Sequence, residues 1–487
     1  MASMRFRLLL LPLITLAFAA VLSPSPALAQ PRMLVGLQDD PTFRWRPDRA
    51  KNFGLAQQAH VGIVRTTVYW SRIAEKKPRN AANPFDRAYR FSDLDEFVRN
   101  AGLHGMEVML TIWGTPKWAN HGKGQNHAPA KLADLRKFAQ AVANRYSGRH
   151  RGYPFVRFYT VWNESNLGLF LSPQYNPRTH KPVAPKIYAG IYRAAYAGIK
   201  AGNRHALVGI GETSARGRDR YLGQKGVQET ESPGRFARLL SEQKPRLKFD
   251  AWSHHPYPTT LRQRPTQRVR WPNVTLQRLP HFEDALARWF KRDTVPIWIT
   301  EYGYQTRPAM PGGVTSGQQA AYLRQALDYA AGDPNVQVFI WFILRDDPTS
   351  GWKSGLVSRN GAKKPAFATF TRRAAEYDGR EPEITLAPGT QYPPARFAAL
   401  ELWSRSGTGA KVGLTVTVYS QVTNRRLRLV RTAQPLSRIG YDGWISFRVP
   451  LARAIARVYS VNIRAVDIHG NRVDRSVSLR VQPRKGR

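Results

Sequence analysis

Two carboxylates stand at the ends of apolar, aromatic-rich runs of strand length. Glu164 closes Val161-Trp162-Asn163-Glu164, and Glu301 closes Ile297-Trp298-Ile299-Thr300-Glu301, just ahead of Tyr302-Gly303. An apolar run of this length predicts a strand buried on both faces. A carboxylate at its tip belongs where the sheet opens to ligand or water. Two such tips supply what cleavage of a glycosidic bond requires: one carboxyl to protonate the leaving oxygen, another to attack carbon or activate water. The competing reading is a pair of salt-bridged carboxylates bordering ordinary loops.

The elements that would position them alternate in type. Strand candidates are Met33–Leu37, Gly62–Tyr69, Met106–Trp113, Val156–Asn163, Ala206–Gly211, Phe249–His255, Pro296–Thr300 and Val336–Leu344. Amphipathic helices fall between them. Phe91–His104 carries Leu94, Phe97, Val98 and Ala101 on one stripe, and its Ser92-x-x-Asp95 resembles a capping box. Leu132–Tyr146 repeats Leu135, Phe138, Ala139, Val142 and Tyr146, and Ser316-x-x-Gln319 opens a further helix to about Ala331. Eight strands alternating with helices predict an α/β fold, a (β/α)8 TIM barrel. A doubly wound open sheet is the alternative, but no Gly-rich phosphate turn follows the first strand. In such a barrel the strand ends and following loops form the active face, and Glu164 on strand four and Glu301 on strand seven share it. Long loops after strands three to six carry Trp118, Phe170, Tyr175, Tyr221 and Trp271, whose faces suit sugar rings.

Beyond Tyr377 the grammar changes. Arg396–Trp403, Lys411–Tyr419, Trp444–Val449, Val458–Asp467 and Val473–Val481 read as strands, with His469-Gly470-Asn471 as a turn. A small all-β sandwich, Ig/fibronectin-like, is expected over 378–487, joined near Asp378–Pro388. The barrel is expected over 30–377. Residues 1–29 read as a signal peptide: Arg5 and Arg7 precede an apolar run from Leu8 to about Leu22, and Ala27-Leu28-Ala29 is an A-x-A cleavage pattern. The expectation is a secreted, extracellular protein beginning near Gln30, with an uncleaved anchor as the alternative. No later segment is apolar enough to span a membrane.

Composition limits the partners. The chain of 487 residues has no cysteine, so its stability must come from core burial, for which 13 tryptophans and 42% hydrophobic residues are ample. A formal net charge of +42, mainly arginine, suits an acidic polymer such as an anionic cell-wall glycan. The arginines are scattered, which favours a compositional bias over solvated faces. No helix-turn-helix, zinc-finger or RNA-binding signature is present, so nucleic acid is not an expected partner. No cofactor is expected, and no metal: His254 and His255 are strand neighbours and diverge. A monomer acting on a carbohydrate is the expectation.

Trp162-Asn163-Glu164 on strand four with Glu301 on strand seven resembles clan A of the retaining glycoside hydrolases. Further matches are Arg65 on strand two, Trp113 in Ile112-Trp113-Gly114-Thr115-Pro116-Lys117-Trp118-Ala119, His255-Pro256-Tyr257 on strand six, and Trp341 on strand eight. The resemblance covers roughly residues 33–375 and lies nearest families 5 and 39. The strand-three motif and Gly355-Leu356-Val357 to Lys364-Pro365 lean toward family 39. The resemblance implies Glu164 as general acid and then base, and Glu301 as nucleophile. It implies Arg65 holding Glu301 charged, Asn163 on the sugar 2-hydroxyl, Tyr257 bonded to the nucleophile, and Trp341 flooring the subsite. Asn163 and Glu164 are adjacent, so the strand must bend at its tip for both to reach one site. His255 is the expected lining histidine and His254 its alternative. Glu212 and Asp346-Asp347 are further carboxylates at strand ends, suited to sugar hydroxyls or a rim arginine. A non-catalytic polysaccharide-binding barrel and a charge-driven cell-wall adhesin are the rival functions.

Overall fold

The computed structural model describes residues 33–377 apart from 151, 225 and 348–351, and the strands lying between 385 and 480. Eight parallel strands close into a barrel in chain order: β1 Leu34–Gln38, β2 Ile63–Tyr69, β3 Glu107–Trp113, β4 Phe158–Val161, β5 Leu207–Ser214, β6 Ala251–His255, β7 Ile297–Tyr302 and β8 Val336–Phe342. Closure comes from β8 pairing back onto β1, with Leu37 opposite Trp341 and Gln38 opposite Phe342. All eight strands fall where the apolar runs place them, with ends shifted by a few residues. The expected (β/α)8 barrel is the observed one.

The helices are α1 Arg49–Gln58, α2 Trp70–Ile73, α3 Ser92–Leu103, α4 Leu132–Arg145, α5 Ala184–Gly202, α6 Pro233–Ser241, α7 Leu279–Phe290, α8 Ser316–Ala331 and α9 Pro365–Tyr377. Leu94, Phe97, Val98 and Ala101 on α3 are buried, as are Leu135, Phe138, Ala139 and Val142 on α4, so the apolar stripes do face the sheet. Two start signals move. Phe91 caps α3 and Ser92 is already helical, so the Ser92-x-x-Asp95 pair makes no capping box. Asp95 instead turns inward to accept from Arg145 and Tyr146. At α8 the box is Thr315 with Gln318, one residue earlier than Ser316-x-x-Gln319. Gln319 is buried and donates to the carbonyls of Tyr304 and Ser354.

Strand alternation sorts the barrel interior from the layer beneath the helices. Leu34, Ile63, Met109, Phe158, Ala251, Trp298, Val338 and Ile340 fill the lumen in one cluster. Their neighbours Val64, Leu110, Tyr159, Trp252, Ile299, Phe339 and Trp341 pack outward. Trp298 is the largest plug, and it fits because β5 offers Gly209 opposite it. A β-carbon at Gly209 would stand 2.2 Å from Ser253 Oγ and 2.9 Å from the Trp298 ring. The lumen is therefore solid below the site.

In the C-terminal part, β9 Thr385–Leu386, β10 Phe397–Trp403 and β14 Trp444–Pro450 form one antiparallel sheet in the order β14-β10-β9. A second sheet runs β12-β11-β15-β16, from β11 Lys411–Thr423, β12 Arg426–Ala433, β15 Val458–Val466 and β16 Arg472–Arg480, with β13 Leu436–Arg438 pairing on β11. β9, β12 and β13 fall outside the strands expected from the sequence. The expected signal peptide, most of the expected Asp378–Pro388 join and the expected turn at 469–471 lie outside the described residues.

Candidate active site

Strict alternation would turn three of the site's residues the wrong way, and local backbone irregularities turn them back. In β7, Trp298 faces the lumen, so Glu301 at odd spacing would face the helices. The register with β8 slips between Ile299 and Tyr302, and Tyr302 takes the outward place against Phe339 and Trp341. Glu301 thereby points to the lumen mouth, as a bulge allows. In β5 the register slips between Gly211 and Thr213. Gly211 at φ +101° lies against the outward Trp252 ring, and Glu212 at φ +45° turns inward. Beyond β4, Trp162 and Glu164 both take left-handed backbone, at φ +71° and +35°. That is the bend which lets Asn163 and Glu164 reach one site. The Trp162 indole N–H holds it by donating to the Phe170 carbonyl at 2.7 Å, and Ser165 ties it to β5 through the Gly211 carbonyl. Left-handed non-glycine backbone costs on the order of 1–3 kcal/mol per residue and persists where the surroundings over-determine it.

Arg65, on β2, is the centre of the charge network and is wholly buried. Its five N–H groups meet five acceptors. Nε donates to Thr111 Oγ1 at 2.9 Å, and Nη1 to Gln38 Oε1 and to Glu301 Oε1, the latter at 2.6 Å. Nη2 donates to Asn163 Oδ1 at 3.1 Å and Glu212 Oε2 at 2.8 Å. A guanidinium has no further donor to give. The Tyr257 hydroxyl donates to the other oxygen of Glu301, at 3.3 Å. Burial, followed by the nearby Glu301 and Glu164 charges, holds that phenol well above its ordinary pKa, so it remains a neutral donor.

His255 links the carboxylates. Its Nδ1 lies 3.1 Å from Glu164 Oε1 and 3.7 Å from Glu301 Oε2, and its Nε2 lies 3.0 Å from Glu212 Oε2. Burial by itself drives an imidazole pKa down. The Glu301 charge and the bonds to Glu164 and Glu212 outweigh it and raise the group from 6.5 to about 10. The ring is an imidazolium, donating from both nitrogens. Burial likewise opposes ionisation of Glu212, but the Arg65 charge and the His255 bond prevail and lower it to about 2. The Glu164 and Glu301 oxygens both contact one nitrogen, so they cannot be further apart than those two distances laid end to end. The ~5–5.5 Å of a retaining pair fits within that limit, and most of the ~6.5–9.5 Å inverting range does not.

Glu164 and Glu301 lie on the wall of a cavity of about 690 Å³ at the C-terminal mouth of the barrel, with Asn163, Trp113 and Tyr257 beside them. Arg65 and His255 lie beneath, holding the carboxylates rather than lining the cavity. His254 faces away, between Thr213 Oγ1 and the Val274 carbonyl and against Phe282 of α7. Trp341 requires correction as the subsite floor. It is fully buried on the outward side of β8, its N–H donating to the Ser354 carbonyl. Alternation gives the cavity position to its neighbour Phe342.

Of the loop aromatics, Phe170 lines the cavity and the others do not. Trp118 donates to Ala74 and packs on Trp70; Tyr175 is buried beneath Arg235. Tyr221 stacks on His180, while Trp271 meets His281 edge to face and lies tilted against Trp289. Tyr69, Tyr304 and Trp352 supply rings in their stead. Tyr69 stands at the tip of an expected strand and was legible as such. Trp352 follows β8 in a loop with no pattern to mark it. Asp346 is also structural, paired with Lys364 at 2.7 Å and accepting from the Gly355 N–H.

A closed parallel barrel with carboxylates at the ends of β4 and β7 over one cavity is the arrangement of a clan A glycoside hydrolase. The family model for cellulase, glycosyl hydrolase family 5, matches residues 35–346, and the chain belongs to that family of retaining glycosidases. Among solved structures, a family 39 glycoside hydrolase from the gut symbiont Bacteroides cellulosilyticus WH2 aligns at a TM-score of 0.50 and 15% identity, over 87% of this chain and 82% of that one. This likeness is one of fold. Xylanase 10B from Thermotoga maritima aligns at 0.45 and 14%, over 72% of this chain and 98% of its own. A family 44 xyloglucanase from Paenibacillus polymyxa aligns at 0.42 and 13%, over 86% and 94%. No curated sequence matches the chain.

Proposed function

We propose that this chain cleaves O-glycosidic bonds of a poly- or oligosaccharide by double displacement, with Glu301 as nucleophile and Glu164 as acid and then base. One observation carries the reading: both carboxylates reach the same cavity wall and the same imidazolium nitrogen from strands far apart in sequence. In the first step a Glu301 oxygen bonds to the anomeric carbon as the glycosidic C–O bond breaks. Glu164 gives its proton to the departing oxygen. An Arg65 N–H and the Tyr257 hydroxyl donate to Glu301 and aim it before attack, with the His255 ring 3.7 Å from its second oxygen. After donation Glu164 is itself a carboxylate, and the His255 Nδ1–H stands ready to stabilise it. In the second step Glu164 takes a proton from water, whose oxygen displaces Glu301 and restores both groups. Asn163 has its carbonyl oxygen committed to Arg65, which leaves its amide N–H₂ to donate to the sugar 2-hydroxyl.

The finer parts of the reading rest on sequence. Cleavage after residue 29 and export follow from the Arg5/Arg7, apolar and Ala27-Leu28-Ala29 pattern. The barrel unit would span 30–377 and a β-sandwich 378–487, a division favoured by the change from parallel to antiparallel pairing. A monomer working on carbohydrate, with no stable membrane insertion, completes the reading.

The deciding experiment is labelling with a panel of 2-deoxy-2-fluoroglycosyl fluorides followed by peptide mass mapping. A glycosyl ester on Glu301 is expected. Label on any other residue, or full turnover by Glu301→Ala, would remove Glu301 as nucleophile.

A further inference from the structure

Glu212 carries three separate costs. Its side chain is wholly buried yet ionised, its Oε1 has no hydrogen-bond partner, and its backbone sits at φ +45° in the β5 bulge. A glutamine or an apolar residue would leave the buried Arg65 and His255 charges short of a counter-ion, so Glu212 belongs to the charge network beneath the acids and not to the packing around it. Its other oxygen is where two lines of contact meet. Oε2 accepts from Arg65 Nη2 at 2.8 Å and from His255 Nε2 at 3.0 Å. The opposite side of the guanidinium reaches Glu301 at 2.6 Å, and the opposite ring nitrogen reaches Glu164 at 3.1 Å. One buried oxygen thus braces, through one cation each, both carboxylates on the cavity wall.

We propose that Glu212 is the positioning residue of the reaction, holding Arg65 against Glu301 and His255 against Glu164 from below the cavity. The inference rests on the roles proposed for Glu164 and Glu301. Glu212 does not touch the cavity, so it acts only through the two cations. The two cations, Arg65 and His255, thus stand between Glu212 below and the two cavity carboxyls above. If Glu212 were neutral, His255 would keep Glu164 and Glu301 beside it, with Arg65 and Tyr257 near and His254 on the outward side. Its Nε2 proton would have lost its charged acceptor.

The test uses the full chain carrying Glu212→Gln, which keeps the side-chain shape, with Glu212→Asp as a shorter variant that keeps the charge. Histidine imidazoles are labelled with nitrogen-15 and titrated by NMR. In the native protein His255 is expected to keep both ring protons well above the ordinary 6.5, and in Glu212→Gln its titration should move down toward that value. Glu212→Asp, if it folds, holds the titration above 6.5. Turnover is read on a panel of 2,4-dinitrophenyl glycosides. Glu212→Gln should lower kcat by ~10-fold or more while KM stays within about threefold, and a new ionisation should enter its pH–rate profile. An unchanged His255 titration, or a shifted titration with unchanged kcat, overturns the proposal. The titration needs no substrate, so an unchanged His255 overturns the inference whether or not any glycoside is turned over. Failure of every glycoside would instead count against the roles of Glu164 and Glu301.

Discussion

Replacing Arg65 by lysine keeps the charge and removes the geometry. The guanidinium fills five acceptors, of which Gln38, Asn163, Thr111 and two carboxylates are the owners. An ammonium has three donors at one point, so at least two of these five bonds are lost, although Thr111 keeps Thr160 and Glu212 keeps His255. Each lost bond costs about 1–3 kcal/mol, hence ~2–6 kcal/mol in all. At about 2.1 cal/mol/K of unfolding entropy per residue, a barrel of this size should melt roughly 3–8 °C lower. Thermal unfolding followed by near-UV circular dichroism, with kcat on an aryl glycoside measured alongside, reads both consequences. The two effects should appear together, since Glu301 loses its 2.6 Å partner in the same change. A melting temperature within about a degree of native, with unchanged kcat, would refute the claim that a saturated guanidinium organises the site.

His255 gives a pH signature. Its folded pKa of about 10 lies above the unfolded 6.5, so its stabilisation is complete below about pH 6.5 and is lost as pH rises through about 10. The fall of melting temperature across that window should be shallower in His255→Gln, and equal slopes would show the imidazolium adds nothing. Glu212 works in the opposite sense: its folded pKa of about 2 lies below the usual 4.5, so its stabilisation is present above 4.5 and lost as pH falls toward 2. Glu212→Gln should therefore flatten the acid limb of the stability curve, and an unaltered acid limb would contradict this. Trp341→Phe removes one of the two donors to the Ser354 carbonyl, leaving Gln319, and should cost ~0.5–1.5 kcal/mol while kcat/KM stays within about threefold. Phe342→Ala removes a cavity ring and should lower kcat/KM by ~10-fold or more; the reverse pattern would return Trp341 to the site.

The sequence by itself determined the architecture and the pair of acids. Apolar runs such as Ile297–Thr300 and amphipathic stripes such as Leu94, Phe97, Val98 and Ala101 fix element types through period alone, and eight alternations leave few folds. Because barrel strands all end on one face, naming the strand ends was enough to put Glu164 and Glu301 together. Alternation requires only that His254 and His255 diverge, and the His-x-Tyr arrangement of the resemblance selects His255. Strict alternation failed where the ladder is irregular. Counting by twos sends Glu301 and Glu212 outward, and only the slips at Gly211–Thr213 and Ile299–Tyr302 return them to the lumen. Trp341 was misplaced for the complementary reason: β8 keeps strict alternation to its end, so the aromatic that reaches the cavity is Phe342. What only the tertiary structure decided is the wiring beneath the acids. Arg65, Glu212 and His255 come from three strands, and no local pattern records that their side chains share one oxygen. Side-chain contacts across a barrel depend on stagger and bulges summed around the whole ring, a quantity that no single stretch of chain contains.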